Sequence, residues 1–295
     1  MLSLTALSVR FSILLPLALS LNLLACRTTE NTDLSVYGGR EDYAIMPRSV
    51  GLVQVTNGVP EKHTYCTGGF ITDRLLLTAA HCIFEGTEVA IVSESEPFKG
   101  KVISSNNLYV NPEYEKKSNS NGPFVDPTAD DIGFVIFPPD TAPAHMIIEI
   151  APIPPKVGDG VQLVGWGANR QTGSNDIINK RHYGRNKIAK IDDKNGDKIV
   201  LVGITFTDGA PEDVNNASAG KGDSGGPLFN DKDQVIGVTS NIGTLDESIY
   251  SSEHKLMNNT SFYANLHAPL TRKIVDAIIA QYRNKESSKP AAARK

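Results

Sequence analysis

Nine short apolar runs, separated by clusters of Gly, Pro, Asn and Asp, recur along most of the chain and restrict its fold more than any other feature. They are Ser49–Val55, Gly69–Thr78, Glu88–Ser93, Gly100–Ser104, Ile132–Phe137, Val161–Gly165, Lys198–Ile204, Gln234–Ser240 and Ser261–Leu266. Most are too short to be helices that bury a face, and many are rich in Val and Ile. Short strands at regular spacing predict an all-β sandwich or barrel architecture. One helix is expected near the end. From Pro269, suited to a first helical turn, Leu270, Ile274, Ala277, Ile278 and Tyr282 fall at three- and four-residue spacing and form one apolar stripe. Residues 285–295 have no periodic apolar face and read as a loose tail. With 295 residues and 40% hydrophobic content, the chain can bury one large core or two medium ones. No internal repeat is visible.

The formal net charge is -4 and the basic residues form no patch, so nucleic acid is excluded as an expected partner. The apolar run that follows Arg10 and ends at Ala25 is short and interrupted, and reads as the core of a signal peptide rather than a membrane span. There are three cysteines, Cys26, Cys66 and Cys82. Cys66 and Cys82 can pair in an oxidising compartment, which leaves Cys26 odd. Leu23-Leu24-Ala25-Cys26 resembles the bacterial lipoprotein box, in which the cysteine is diacylated and becomes the new N-terminus. An ordinary signal peptide cut near Ala25 is the alternative; lipidation is preferred because it accounts for the odd cysteine. Either way export is expected, to the outer membrane or cell surface as a lipoprotein, or to the periplasm or medium after release. Residues 26–35 are polar and turn-rich and read as a tether or pro-segment.

The chemistry centres on Gly222-Asp223-Ser224-Gly225-Gly226-Pro227. A serine between glycines is uncrowded, and main-chain N–H groups of Gly222 and Ser224 can converge on one spot, as an oxyanion hole requires. A serine hydroxyl needs a base, and histidine has the right pKa near neutrality. Five histidines, His63, His145, His182, His254 and His267, lack a supporting motif and read as solvent-facing or structural. His81 ends Leu75-Leu76-Leu77-Thr78-Ala79-Ala80-His81-Cys82, a buried strand running into small residues and a cysteine that would hold the turn. An orienting acid is supplied by Asp131 at the head of Asp131-Ile132-Gly133-Phe134-Val135-Ile136-Phe137. Asp130 is adjacent, but neighbouring strand side chains face opposite ways, so one of the two can serve and Asp131 is preferred.

These three segments, in this order, resemble the chymotrypsin/trypsin family of serine endopeptidases. Supporting matches run from Val36 to Tyr282: Cys66-Thr67-Gly68-Gly69-Phe70-Ile71, Val110-Asn111-Pro112-Glu113-Tyr114 with Asn111 in place of a His, Val164-Gly165-Trp166-Gly167, and Ile236-Gly237-Val238-Thr239-Ser240. The resemblance implies two packed six-stranded antiparallel Greek-key barrels with a C-terminal helix, and a site in the cleft between them. The expected organisation is a signal peptide over 1–25, a tether over 26–35, the protease domain over 36–284 and a tail over 285–295. It further implies Ser224 as nucleophile, His81 as base and then acid, Asp131 as orienting carboxylate, and Ser240 beside Asp131. The backbone of Ser240 to Ile242 would pair with an extended peptide substrate.

By family position Ser218, six residues before Ser224, is the floor of the specificity pocket. A neutral floor leaves a bound Lys or Arg without counter-charge, which disfavours cleavage after basic residues. The pocket walls fall near Ile242 and Ser261. If Ile242 occupies the wall, small apolar residues are favoured; if the alignment slips and Gly243 does, large aromatics fit. Gly220 stands where the family has a cysteine. Val36-Tyr37-Gly38-Gly39 resembles the family's activation stretch, so the amine of Val36, freed by a cut after Ser35, is expected to pair with Asp223. Glu115–Asp130 and Ala168–Asp197 read as long polar insertions. No metal-ligand spacing appears, no cofactor is expected, and the molecule is expected to be a monomer acting on proteins or peptides. An esterase with the same three residues, or a catalytically silent binding protein, are the rival readings.

Overall fold

The computed structural model describes residues 40–41, 48–62, 64–83, 86–93, 98–114, 130–167, 181–192, 199–202, 217–243 and 260–287. All belong to the second of two compact units, Thr32–Lys295. The strands in chain order are β1 (Arg40–Glu41), β2 (Val50–Thr56), β3 (Val59–Pro60), β4 (Cys66–Phe70), β5 (Leu75–Thr78), β6 (Val89–Val92), β7 (Ile103–Ser105), β8 (Leu108–Val110) and β9 (Gly133–Ile136). They continue with β10 (Glu149–Ile150), β11 (Gly160–Gly165), β12 (His182–Asp192), β13 (Ile199–Val202), β14 (Pro227–Asn230), β15 (Gln234–Gly243) and β16 (Thr260–Asn265), and a helix α1 (Pro269–Ser287) follows.

The strands form two sheets. In the first the order is β7-β6-β2-β4-β5-β9-β8, with β3 paired to β2. Because β7 and β8 are separated by two residues, the run from Ile103 to Val110 pairs with β6 through one half and with β9 through the other. The Ser105 hydroxyl donates to the Ile136 carbonyl at 2.6 Å and the Ile136 N–H to the Asn107 carbonyl at 2.8 Å, so the bend closes the ring. In the second sheet β12, β11, β14, β15, β16 and β13 pair in turn and β13 returns to β12, a closed six-stranded barrel. Closure leaves few open edges, which is how short strands become a stable fold. All these pairings are antiparallel; β10, which follows the first sheet, pairs with β15 in parallel.

The fully buried β5, Leu75-Leu76-Leu77-Thr78, lies between β4 and β9. Around it Leu52, Phe70, Ile91, Phe134, Phe137 and Met146 fill the first core. A second cluster of Val161, Leu163, Ile188, Leu228, Ile236 and Tyr263 fills the closed barrel. Val164, Phe229, Val238 and Ala264 belong to the first cluster although their strands lie in the second sheet, so the sheets share one apolar seam.

Three expectations are corrected. Gly69–Thr78 is not one strand but the end of β4, a turn over residues 71–74 and β5, with the Thr72 hydroxyl accepting from the Arg74 and Leu75 N–H groups. The stretch 168–197, read as an insertion, contains β12, the longest strand described; its Arg185, Asn186 and Lys187 break the apolar pattern, and backbone pairing to β11 and β13 holds it. The helix starts at Pro269 as expected but runs to Ser287, into the stretch read as tail. Its buried face is Thr271, Val275 and Ile278, while Leu270 is 60% exposed, so the stripe is rotated by about one residue. On this side Arg272 reaches the Ala151 carbonyl, and Arg74 stacks over the Tyr282 ring at 5.5 Å. Among the described residues no helix is long and apolar enough to cross a membrane.

Candidate active site

The His81 turn follows β5 directly. Ala80–Cys82 make one 3-10 turn, closed by the Cys82 N–H to the Ala79 carbonyl, and Cys82 is bonded to Cys66 at the start of β4. The Tyr65 hydroxyl donates to the Cys82 carbonyl at 2.8 Å, so the turn is held from both sides. On the neighbouring strand, Asp131 precedes β9 and is buried. Its Oδ1 accepts the His81 N–H at 3.0 Å and its Oδ2 lies 2.8 Å from His81 Nδ1. The Ser240 hydroxyl, from β15, donates to the same Oδ2 at 2.5 Å. One buried carboxylate therefore fixes the histidine's backbone and its ring together, and leaves Nε2 as the ring nitrogen facing other partners.

The electrostatics follow from this geometry. Burial alone would push the His81 imidazole down, but the charge of Asp131 and its hydrogen bond outweigh that and raise it above 6.5. Asp130, the rejected neighbour, is also buried, and its carbonyl accepts both the Ile132 N–H at 2.7 Å and the Asn111 side-chain N–H at 2.9 Å. Asn111, the departure from the family's His, thus anchors the peptide immediately before Asp131.

Ser224 lies on the turn that leads into β14. The Asp223 N–H goes to the Gly220 carbonyl, the Gly225 N–H to Thr239 and the Gly226 N–H to Asp223, at 3.1, 2.7 and 2.8 Å. Among the described residues the N–H groups of Gly222 and Ser224 donate to no acceptor. The amides of Gly220, Asp223, Gly225 and Gly226 are engaged, while those of Gly222 and Ser224 are left open. The turn presses against the His81 segment: a Cβ on Gly225, whose φ is +82°, would stand 2.1 Å from the Thr78 Oγ1 and 2.9 Å from the Ala79 nitrogen. The Ser224 carbonyl lies 3.5 Å from Cys82 Sγ and accepts the Thr67 N–H at 2.7 Å. The half-buried Ser224 hydroxyl has no protein partner among the described residues; such contacts commonly tighten only when substrate binds.

Asp223 points away from this face into the molecule. Its carboxylate accepts the Gly167 N–H at 2.9 Å and the Gly220 N–H at 2.7 Å, and a Cβ on Gly165 would stand 1.9 Å from its Oδ1. Complete burial pushes its pKa up to about 8 despite those two N–H groups. Val36, its expected partner, and Cys26 lie outside the described residues, as do His63 and His254. Of the remaining histidines, His182 is fully buried in β12, and burial and the charge of Arg272 lower the half-buried His267.

Near the expected pocket, Ser218 and Ser261 are fully buried and the Ala219 N–H donates to Ser261 Oγ at 2.8 Å. Across β15 and β16 the pairing sets Ile242 opposite Ser261, with a bulge between Thr239 and Asn241 that falls on Ser240. Gly220, in place of a cysteine, gives its N–H to Asp223. The one trio of metal-type donors found close together among the described residues is Cys66, His81 and Cys82, within 4.8 Å. Two of its atoms are joined in the disulfide, so it is not a metal cage.

A family description named Trypsin matches residues 36–256, more than half of the chain. The chain belongs to the trypsin family. "Trypsin 5G1" of Aedes aegypti is 25% identical over 196 residues, covering 62% of this chain and 67% of its own. Among solved structures, mouse neuropsin, described as a serine protease, superposes with a TM-score of 0.56 at 23% identity, over 81% of this chain and 98% of its own. Human heparin binding protein superposes with a TM-score of 0.54 at 16% identity, over 83% and 96%. At these identities the solved structures speak for the fold: this trypsin-family chain is mostly β, with two sheets and a C-terminal helix, as expected from its sequence.

The residues that sequence reasoning passed over are those that hold the two halves of the site together. Thr67 binds the Ser224 turn and Thr78 donates to the Thr67 carbonyl at 2.8 Å. A clue was available: a threonine in a strand otherwise made of Cys, Gly and Phe is a buried hydroxyl, and buried hydroxyls have partners.

Proposed function

We propose that this trypsin-family protein is a serine endopeptidase in which Ser224, His81 and Asp131 act together. The observation that carries the reading is the His81–Asp131 pair, 2.8 Å apart with the carboxylate buried, beside a serine turn with two unengaged N–H groups. Ser224 Oγ attacks the peptide carbonyl while its proton passes to His81 Nε2, and the carbonyl oxygen becomes an oxyanion facing Gly222 and Ser224. Collapse breaks the C–N bond, and the same proton moves from His81 to the leaving amine. Water repeats the sequence on the acyl-enzyme and frees Ser224. Asp131 stays ionised throughout and steadies the imidazolium.

Cleavage follows small apolar residues. The buried, neutral Ser218 offers no counter-charge for Lys or Arg, and the register that faces Ile242 with Ser261 favours the narrowed wall over the aromatic alternative. The protein is exported, anchored by lipid at Cys26, and activated by a cut after Ser35 that lets the Val36 amine reach Asp223. A buried carboxylate raised to about 8 is what such a waiting site would hold.

Labelling with a fluorophosphonate, followed by cleavage profiling on a peptide library, tests the reading. The wild-type protein is expected to label and to cut after Ala, Val or similar residues, and Ser224→Ala to do neither. A wild-type protein with a free Val36 terminus that neither labels nor cuts would leave a binding role; labelling with cleavage of esters alone would leave an esterase.

A further inference from the structure

Thr67 is fully buried in β4, and every polar group it has is engaged near the serine turn. Its hydroxyl oxygen accepts the Trp166 N–H at 3.0 Å and its hydroxyl proton goes to the Gly222 carbonyl at 3.1 Å. Its N–H donates to the Ser224 carbonyl at 2.7 Å and its carbonyl accepts from Thr78. The hydroxyl direction is determined, because the bond from Trp166 occupies the oxygen and turns the proton toward Gly222. The result is a polarised relay from one barrel's strand to the other's turn.

The relay touches the Gly222–Asp223 peptide, which is joined through the Gly222 Cα to the peptide that carries the Gly222 N–H. Gly222 has φ of +96° and no side chain, so its peptides can rotate at little steric expense. The Ser224 amide is secured by the Gly226 N–H on the Asp223 carbonyl. The peptide after Gly222 is secured by the Asp223 N–H on one side and by the Thr67 hydroxyl on the other. We propose that Thr67 is a positioning residue whose hydroxyl fixes the Gly222 carbonyl and thereby, through the freely turning Gly222 Cα, sets the angle at which the adjoining Gly222 N–H receives the oxyanion, a role that rests on the peptidase reading above.

The test compares Thr67→Val, which keeps the shape and removes the hydroxyl, with Thr67→Ser, which keeps the hydroxyl. Both are measured by steady-state hydrolysis of a peptide amide and by inhibition with a peptidyl trifluoromethyl ketone, which binds as a tetrahedral oxyanion. Thr67→Val is expected to lower kcat about 10- to 100-fold with little change in KM, and to weaken the ketone by a similar factor, because the lost interaction exists only when the oxyanion does. Thr67→Ser is expected to stay within about threefold of wild type. Unchanged kcat in Thr67→Val overturns the assignment, as does a loss carried by KM alone or a loss equally large in Thr67→Ser. If Thr67→Val and Thr67→Ala both fail to fold while Thr67→Ser folds, the hydroxyl serves stability and the assignment also falls. A wild-type enzyme that neither labels nor cuts removes the peptidase reading itself, a result separable from an active wild type with an indifferent Thr67.

Discussion

Asp131 accepts from the His81 backbone, the His81 ring and the Ser240 hydroxyl, and this concentration of donors on one carboxylate sets the protonation of the imidazole. Because His81 is raised above 6.5, the neutral base becomes available only at higher pH. The acid limb of kcat/KM is expected to have its midpoint above 6.5. Asp131→Asn should lower that midpoint and cut kcat by about four orders of magnitude, the size found when the equivalent carboxylate of this family is amidated. The pair's contribution to stability is fully present below 6.5 and is lost as pH rises through the raised value. Asp223 gives a second prediction. Its folded value of about 8 exceeds the ordinary 3.8, so the fold holds a proton that the unfolded chain releases. Its contribution is complete below about 3.8 and is lost as pH rises through about 8. Calorimetry of Ser224→Ala with an intact Ser35–Val36 bond should show the melting temperature falling over that interval. Adding Asp223→Asn should flatten the fall; parallel curves would contradict it.

The turn that follows β5 is held by a disulfide in addition to the burial of Ala79, Cys82 and Ile83. Cys66 and Cys82 are 16 residues apart, and in the chain-entropy picture closing such a loop is worth about 3 kcal/mol. Replacing both cysteines by Ala should lower stability by about that amount in urea titration, with activity falling further than the folded fraction as the His81 turn loosens. Activity that simply tracked folding would assign the disulfide to stability alone. The elements also differ in how openly the sequence displays them. β9 and the Leu75–Leu77 part of β5 are apolar and legible as strand, although the sequence did not show where β4 ends and β5 begins. β12 is not, since its side chains alternate between Ile188 in the core and Arg185 and Lys187 in solvent, and its strand character comes from partners on both sides. Helix α1 was legible in its start and type; its rotation depended on what Thr271, Arg272 and Val275 meet.

The two sheets bring together segments far apart in the chain: Thr67, His81 and Asp131 from the first, Ser224 and Ser240 from the second. No short fragment holds it, so the molecule is expected to lose activity and tertiary structure in one transition. At its beginning the chain carries the Cys26 signature. In a bacterial host, radiolabelled palmitate should enter the wild-type chain and detergent extraction should recover it with membranes; Cys26→Ser should abolish both. Cutting after Ser35 should release an active, unlabelled form. Palmitate remaining on the active species would separate activation from release.

Strand spacing, the serine turn, the His81 and Asp131 motifs and the cysteine pair were all decided by local chemistry: which residues stiffen a strand, accept a proton or close a loop. These properties travel with the residue and can be read one segment at a time. Tertiary structure alone decided that Ile242 faces Ser261 and that Thr67 joins the Gly222 carbonyl to Trp166. Each is a matter of register or of hydrogen-bond direction between distant strands, and a one-residue shift would reverse it without altering composition, periodicity or motif.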